Sequence, residues 1–150
     1  MGEPLNNLEQ VHRVCCTLHN QSLFNMGAKR MTVSTSGVVP KIKELVDRNT
    51  PCCLAVSLNS TNNEYRSSVM PVNKVWPIEK LLEAVDEYIR RTDNYVTFEF
   101  VLIQGITCTP KAAKELIRIC APRRVKVNAI VLNDGDDPLA LRLLCHLDHP

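Results

Sequence analysis

Cys52-Cys53-Leu54-Ala55-Val56-Ser57-Leu58 is the stretch that decides the fold. It is an almost continuous apolar run of strand length, which is typical of a strand buried on both faces of a parallel sheet. Apolar residues recur at helical spacing on both sides of this run, at Val39, Ile42, Leu45 and Val46 before it and at Ile78, Leu81, Leu82, Val85 and Ile89 after it. A buried strand between two amphipathic helices predicts a parallel α/β architecture.

The same alternation of strand and helix patterns extends along the rest of the chain. Residues 59–77 form the longest interruption, and their asparagines and prolines predict a turn-rich, functional loop. Strict alternation means parallel strands joined by right-handed crossovers. The four predicted strands fit either a (β/α) barrel or a doubly wound sheet in one domain, residues 1–150. Further strands are predicted at residues 30–34, 95–103 and 125–132, and further helices at residues 5–19, 109–120 and 137–147.

The composition narrows the functional classes. The 150 residues are 45% hydrophobic and 23% charged, with a net charge of +2, which is ordinary for a globular protein. Basic residues come in small groups interrupted by acids, so a mixed-charge surface is favoured over a dedicated nucleic-acid face. No apolar run approaches the ~18 residues of a membrane span, and the first residues lack a signal-peptide pattern. We therefore predict a cytoplasmic protein with no membrane partner.

The cysteines and histidines indicate neither a metal centre nor a catalytic pair. The seven cysteines include no C-x-x-C or C-x-x-x-C-x-x-C spacing, so the sequence offers no zinc or iron–sulfur ligand set. Cys15, Cys53 and Cys120 fall on apolar faces and are interpreted as small buried hydrophobic residues. The four histidines lie near the two ends of the chain, without a nucleophile–base pair. We predict no catalytic residue and no metal ligand in these residues.

Small polar residues follow each predicted strand. In parallel α/β folds the ligand lies beyond the carboxyl ends of the strands. The residues at these ends are Ser34, Thr35, Ser36 and Gly37, then Ser57 and Asn59, then Gln104 and Gly105, and finally Asn133, Asp134 and Gly135. Such groups suit a polar ligand with ribose hydroxyls, an amino acid end or a purine edge. Each also fits an ordinary turn or helix cap, so the prediction depends on their convergence on one rim.

Glu99 is a further candidate site residue. It lies within the strand predicted at residues 95–103, where its side chain can point into a barrel interior. A buried carboxylate needs a partner, because its charge is costly to desolvate. The alternative is an ordinary strand position with no role in a site.

Short motifs along nearly the whole chain match a known enzyme family in order and with closely similar spacing. They are Met1-Gly2-Glu3-Pro4-Leu5, Arg30-Met31-Thr32-Val33-Ser34-Thr35-Ser36-Gly37-Val38-Val39-Pro40, Leu54-Ala55-Val56-Ser57-Leu58, Asn63-Glu64-x-Arg66, Met70-Pro71-Val72-Asn73-Lys74, Phe98-Glu99-Phe100 and Lys126-Val127-Asn128-Ala129-Ile130. The most specific element is the Ser-Thr-Ser-Gly-Val-Val-Pro sequence that begins at Ser34. Together these motifs resemble the radical S-adenosylmethionine (SAM) enzymes that methylate C2 of an adenine in large-subunit ribosomal RNA.

The resemblance implies a six-stranded (β/α) partial barrel of radical SAM type, of which this chain would supply about four strands with alternating helices. It implies SAM as the methyl donor and radical source. The Gly2-Glu3 turn would hold the methionyl amino group, and the other implied residues would contact the carboxylate, ribose and adenine. The cofactor-binding residues implied in this way are Gly2, Glu3, Ser34, Ser57, Leu58, Asn59 and Asn133.

The chain also departs from the family pattern. Family members hold a [4Fe–4S] cluster on a C-x-x-x-C-x-x-C loop that precedes the Gly-Glu-Pro motif, and a methyl-carrying cysteine follows the last strand. Residues 1–150 are therefore expected to be the central part of the domain, without its cluster-binding N-terminal part and its C-terminal part. Asn59 stands where the family usually has histidine, and Leu132 stands where it has tryptophan.

The function implied for the complete family member is methylation of 23S ribosomal RNA, with transfer RNA as a further substrate. Whether this chain by itself is an enzyme stays open, because the cluster cysteines and the methyl-carrying cysteine are not among its residues. The alternative is a non-catalytic module, derived from the same barrel, that binds SAM, adenosine or a partner.

Overall fold

The structure is a computed structural model that describes residues 2–132. Four parallel strands form one open sheet, and helices alternate with them along the chain, so the predicted α/β class is confirmed. The strands are β1 (Thr32–Thr35), β2 (Cys53–Ser57), β3 (Val96–Leu102) and β4 (Val125–Val131). The helices are α1 (Leu8–His19), α2 (Val39–Asp47), α3 (Asn63–Val69), α4 (Val72–Val75), α5 (Ile78–Thr92) and α6 (Pro110–Cys120), with 3₁₀ turns at Pro4–Asn7 and Ala28–Arg30.

The order of the strands distinguishes the two predicted architectures. They lie side by side in the order β1-β2-β3-β4. Ser34 lies beside Ala55, Ala55 beside Thr97, and Thr97 beside Lys126. A doubly wound sheet reverses its strand order at a switch point. Sequential order with right-handed crossovers instead places the helices on one face, as in the wall of a barrel. The described residues therefore form the wall of a partial barrel.

The two faces of the sheet differ in burial. Along β3, Val96, Phe98 and Phe100 are buried in the core, whereas Thr97 and Glu99 between them are only half-buried. The helices cover the first face, and their buried residues include Leu8, Ile42, Leu45, Leu81 and Val85. The other face, which we call the open face, carries Ser34, Ser57 and Glu99. It corresponds to the inner surface of a barrel, because side chains alternate between the two faces of a strand.

The prediction of a loop over residues 59–77 is wrong in part, because the segment contains α3 and α4. Asn62 caps α3, since its side-chain oxygen accepts the Tyr65 N–H at 2.8 Å. Asn63 accepts the Ile78 N–H at 2.9 Å and so ties α3 to the start of α5. Asparagines that indicate turns therefore act here as helix caps and cross-links. The same side-chain chemistry satisfies free backbone groups in both settings.

The helix predicted at residues 109–120 is present as α6, but its apolar residues are unevenly buried. Ala112 is buried, whereas Ile117 is 64% exposed. The partly buried residues of α6 that pack against the core are Leu116, Ile119 and Cys120. Ile117 lies outside this apolar stripe.

Two further expectations concern other parts of the chain. The first strand begins at Thr32 rather than Arg30, because a 3₁₀ turn occupies the preceding residues. The helix predicted at residues 137–147 lies outside the described residues.

Within residues 2–132, none of the helices combines the length and the hydropathy that crossing a membrane requires.

We expect the 150-residue chain to self-associate through β4. Within the described residues this strand pairs only with β3, and its Val127 and Ile130 side chains are each 42% exposed. An unpaired apolar edge is a template for pairing with another chain. Light scattering after size-exclusion chromatography should report oligomers that Ile130→Lys reduces. Ile106→Lys, which charges an exposed apolar residue away from this edge, should not reduce them. A monodisperse wild-type monomer would contradict the expectation.

Candidate functional site

A cleft of about 640 Å³ lies at the carboxyl ends of β1 and β2. Its volume falls within the range of small-molecule sites. The residues that line it are Gly2, Glu3, Pro4, Thr32, Val33, Ser34, Thr35, Ser36 and Ser57. It therefore brings together four of the seven predicted cofactor-binding residues, namely Gly2, Glu3, Ser34 and Ser57. They converge because parallel strands end at the same edge of the sheet.

The Glu3 carboxylate joins the first turn of the chain to the loop after β1. Its Oε1 atom accepts the Leu5 N–H at 3.0 Å, which caps the 3₁₀ turn. Its Oε2 atom accepts both the N–H and the hydroxyl of Ser36, each at 2.8 Å. Hydrogen bonds to a carboxylate are stronger than those between neutral groups. The side chain of Glu3 therefore shapes one wall of the cleft.

Ser34 and Ser57 present their hydroxyls on the open face of the sheet. Ser34 is exposed and Ser57 is half-buried. Among the hydrogen bonds of residues 2–132, neither hydroxyl has a partner, although the Ser57 carbonyl accepts from Arg66. Both hydroxyls can therefore donate to, or accept from, a ligand in the cleft.

Arg66 is the site residue that our sequence analysis missed. Its side chain is fully buried, at 0% exposure. The guanidinium donates from Nε to the Leu58 carbonyl at 2.9 Å. Its Nη2 atom donates to the carbonyls of Ser36 and Ser57, at 2.8 and 3.0 Å, and Nη1 donates to Asn73 Oδ1 at 2.7 Å. These hydrogen bonds connect the ends of β1 and β2 to α3 and α4 directly behind the cleft.

The environment of Arg66 is unusual for a buried cation. Its four hydrogen-bond acceptors are neutral, and no carboxylate pairs with it within residues 2–132. Burial lowers the pKa of Arg66 to about 10, so the side chain stays charged at neutral pH. A pattern of hydrophobicity cannot indicate such a residue, because a lone arginine in a polar segment is normally exposed. The signal available in the sequence was its place in the Asn63-Glu64-x-Arg66 motif.

Gly37 makes the turn that follows β1. Its φ angle is +107°, and a Cβ atom at this position would lie 3.1 Å from Leu81 Cδ1. The Gly37 N–H donates to the Thr35 hydroxyl at 3.1 Å. α2 begins only after Val38, which makes no side-chain cap. Ser36-Gly37 therefore forms a turn without capping α2.

Comparisons with known proteins identify the family. The probable dual-specificity RNA methyltransferase RlmN of Dictyoglomus turgidum is 42% identical over 133 residues, which is 89% of this chain and 38% of that protein. The dual-specificity RNA methyltransferase RlmN of Bdellovibrio bacteriovorus is 42% identical over 134 residues, 89% of this chain and 33% of that protein. A crystal structure of a radical SAM methyltransferase from Sphaerobacter thermophilus matches with a TM-score of 0.83 at 42% identity. The chain belongs to the RlmN family.

The chain spans about a third of the length of the RlmN relatives that it matches. The match to the Sphaerobacter structure covers 92% of this chain and 41% of that one. A domain of pyruvate-formate lyase-activating enzyme from Bacteroides vulgatus has a TM-score of 0.66 at 16% identity, and this match covers 98% of this chain and 88% of that domain. It supports the fold alone. No protein-family model matches the chain.

The remaining cofactor-binding residues implied by the RlmN resemblance differ in their surroundings. Leu58 is fully buried, its N–H donates to the Glu99 carbonyl at 3.0 Å, and its own carbonyl accepts from Arg66. Asn59 has a φ angle of +57°, and its amide group contacts Met70 Sδ at 3.4 Å. Asn133 lies outside the described residues. The roles of all three in cofactor binding stay predictions.

The described residues fit SAM but not an iron–sulfur cluster. The 640 Å³ cleft offers two free serine hydroxyls beside a backbone turn, which suits a ligand with a charged amino acid end and a ribose. No group of three metal-binding side chains occurs within residues 2–132. Burial raises the pKa of Cys15 and Cys120, and it raises the pKa of Cys52 to about 12. Protonated, buried thiols are poor metal ligands and poor nucleophiles.

Proposed function

We propose that the protein containing this chain transfers a methyl group from SAM to C2 of an adenine in 23S ribosomal RNA, with transfer RNA as a further substrate. Within it, this chain provides the SAM-binding wall of the barrel. The observation that carries the proposal is the cleft itself. In a chain of the RlmN family, it gathers Gly2, Glu3, Ser34 and Ser57 at one edge of the sheet.

The side chains of the cleft suggest a division of roles. The Gly2-Glu3 turn would hold the methionyl amino group, while Ser34 and Ser57 would bind the carboxylate and the ribose. Arg66 would keep the carbonyls of Ser36 and Ser57 in place, so the cleft would not have to reorganise when a ligand binds. SAM supplies the methyl group when it is bound. The ligands of the family's iron–sulfur cluster would come from residues other than 1–150, and the RNA substrate would place the protein in the cytoplasm.

We expect Ser34→Ala and Ser57→Ala each to weaken SAM binding by roughly 5- to 150-fold. Each substitution leaves one polar group of a bound ligand without its partner, which costs about 1–3 kcal/mol. Isothermal titration calorimetry with SAM, on the protein that contains this chain, measures the effect. Neither residue is buried in the core, so the melting temperature should change little.

Ser68→Ala is the matched control for these two variants. Ser68 is exposed on α3, and its hydroxyl donates to the Tyr65 carbonyl of the same helix at 2.7 Å. Its removal should leave SAM affinity unchanged. Ser67 is less suitable, because its hydroxyl accepts from Asn73, which in turn contacts Arg66. If SAM bound equally well to the wild type and to both cleft variants, the cleft would not be the cofactor site.

A second candidate function is a SAM- or adenosine-binding module without catalysis. Such a module would need only the cleft, all of whose lining residues lie within residues 2–132. A methylation assay separates the two functions. The complete protein is loaded with iron and sulfide, given reductant, SAM and a 23S RNA segment, and the nucleosides are analysed by mass spectrometry. 2-Methyladenosine supports the methyltransferase, whereas SAM binding without methylated RNA supports the module.

A further inference from the structure

Glu99 and Asn128 form a hydrogen-bonded pair on the open face of the sheet. Asn128 Nδ2 donates to Glu99 Oε2 at 2.8 Å. The two residues lie directly beside each other on β3 and β4. Glu99 is half-buried, and its strand neighbours Phe98 and Phe100 point into the core on the opposite face. The carboxylate is therefore held in one orientation on what would be the inner surface of the barrel.

This pair adjoins the cofactor cleft. Ser57, which lines the cleft, lies directly beside Glu99 in the β2–β3 register. The backbone carbonyl of Glu99 also accepts the N–H groups of Leu58 and Asn59, at 3.0 and 3.1 Å. Ser57, Glu99 and Asn128 thus form one row across three strands. The row extends the polar surface of the cleft toward β4.

The free atoms of the pair are hydrogen-bond acceptors. Within residues 2–132, no donor contacts Glu99 Oε1 or Asn128 Oδ1, and no lysine or arginine forms an ion pair with Glu99. The cation nearest along β4 is Lys126, whose Nζ atom lies 3.9 Å from the centre of the Tyr95 ring. Tyr95 precedes β3, so this cation is directed toward the amino end of the sheet. An oriented carboxylate beside an amide oxygen selects a ligand group that donates hydrogen bonds.

We propose that Glu99 and Asn128 form a second subsite, which binds the hydrogen-donating edge of a nucleoside, either its amino group or its ribose hydroxyls. The inference rests on the proposed function, which supplies two sources of such a group. One is the nucleoside of SAM and the other is an adenosine of the RNA. The subsite accepts hydrogen bonds through Glu99 Oε1 and Asn128 Oδ1, and it lies within one strand of the Ser57 hydroxyl.

The test measures two affinities for each variant of the complete protein that contains this chain. Calorimetry gives the affinity for SAM, and fluorescence anisotropy gives the affinity for a labelled single-stranded RNA that contains adenosine. Glu99→Gln is nearly isosteric and exchanges an acceptor for a donor. Asn128→Ala removes the neighbouring acceptor at an exposed position of β4 and leaves the core intact. Thr97→Val is the matched control, because Thr97 lies on the same strand and face as Glu99, two residues nearer the amino end.

Loss of a hydrogen bond to a charged group should lower the affinity for one of the two ligands by about 10- to 150-fold in Glu99→Gln. Asn128→Ala should lower the affinity for the same ligand, and Thr97→Val should lower neither. A loss confined to SAM assigns the subsite to the cofactor, and a loss confined to RNA assigns it to the substrate. If Ser34→Ala weakened SAM binding while Glu99→Gln and Asn128→Ala changed neither affinity, the subsite would be disproved and the proposed function would stand. If the complete protein that contains this chain bound neither ligand, both would be overturned.

Discussion

Replacing Arg66 with methionine is expected to destabilise the fold by roughly 3–5 kcal/mol and to abolish SAM binding. Methionine fills a similar volume and removes the cost of burying a charge. It also leaves the carbonyls of Ser36, Ser57 and Leu58, together with the Asn73 side chain, without their donor. Several unsatisfied buried acceptors outweigh the relief of one buried cation. Chemical denaturation measures the free energy of unfolding, and calorimetry measures the affinity for SAM.

Two further variants separate the effect of Arg66 on the position of the cleft carbonyls from its effect on the stability of the whole fold. Tyr88→Phe removes a buried hydroxyl that donates to the Cys52 carbonyl at 2.8 Å, at the amino end of β2. It should lower the free energy of unfolding by about 1 kcal/mol and leave SAM affinity unchanged. Arg66→Lys keeps the charge but lacks the planar fork of donors. The free energy of SAM binding should therefore weaken by more than the free energy of unfolding falls. Wild-type affinity in a folded Arg66→Lys protein would refute the positioning role of Arg66.

Replacing Gly37 with alanine is expected to lower the free energy of unfolding by roughly 2–6 kcal/mol. A φ angle of +107° is strained for any residue with a Cβ atom, which costs about 1–3 kcal/mol. The added methyl group would also lie 3.1 Å from Leu81 Cδ1, and Leu81 is fully buried. Overpacking a core costs a further 1–3 kcal/mol or so. Because Gly37 follows Ser36, the variant should also distort the cleft wall that Glu3 and Ser36 form. Urea denaturation gives the free energy.

Two other glycines are controls that divide this cost into its parts. Gly105 has a φ angle of +74° and no atom near an added Cβ, so Gly105→Ala tests strain without overpacking. Gly27 has a φ angle of −61° and open space around it, so Gly27→Ala should be neutral or stabilising by up to about 1 kcal/mol. If Gly37→Ala lowered the free energy of unfolding by no more than Gly105→Ala does, contact with Leu81 would add nothing to the cost, contrary to this expectation.

Periodicity was sufficient to predict the four strands and helices α1, α2, α5 and α6, but it did not indicate the short helices α3 and α4. The run from Cys52 to Leu58 is a buried strand, and the helices that flank it use the predicted apolar residues. Sequence periodicity alone does not distinguish a barrel wall from a doubly wound sheet, because both have the same succession of elements. The order of the strands in space makes that distinction. In the same way, the strand-end rule and the family resemblance, rather than periodicity, indicated that Ser34 and Ser57 would meet in one cleft.

The rest of the site depends on side-chain contacts that no periodic pattern records. Glu3 and Ser36 are 33 residues apart in sequence, and nothing local to either indicates their hydrogen bonds. Arg66 lies in a polar segment whose composition indicated a turn-rich, functional loop, yet it is one of the most buried side chains of the described chain. Its burial follows from the backbone carbonyls that converge on it. Such convergence is a property of the assembled fold.

The hydrogen-bond partners of Arg66 are neutral, so the part of the cleft wall that Arg66 holds should keep its shape when the pH falls or the ionic strength rises. A carboxylate partner would lose its charge as the pH fell, and an exposed ion pair such as that between Arg48 and Glu9 weakens as ionic strength rises. Carbonyl oxygens do neither, and the guanidinium keeps its proton at every pH below about 10. Whatever ligand the cleft takes, this wall would hold the same shape for it across the range of conditions that a cell encounters.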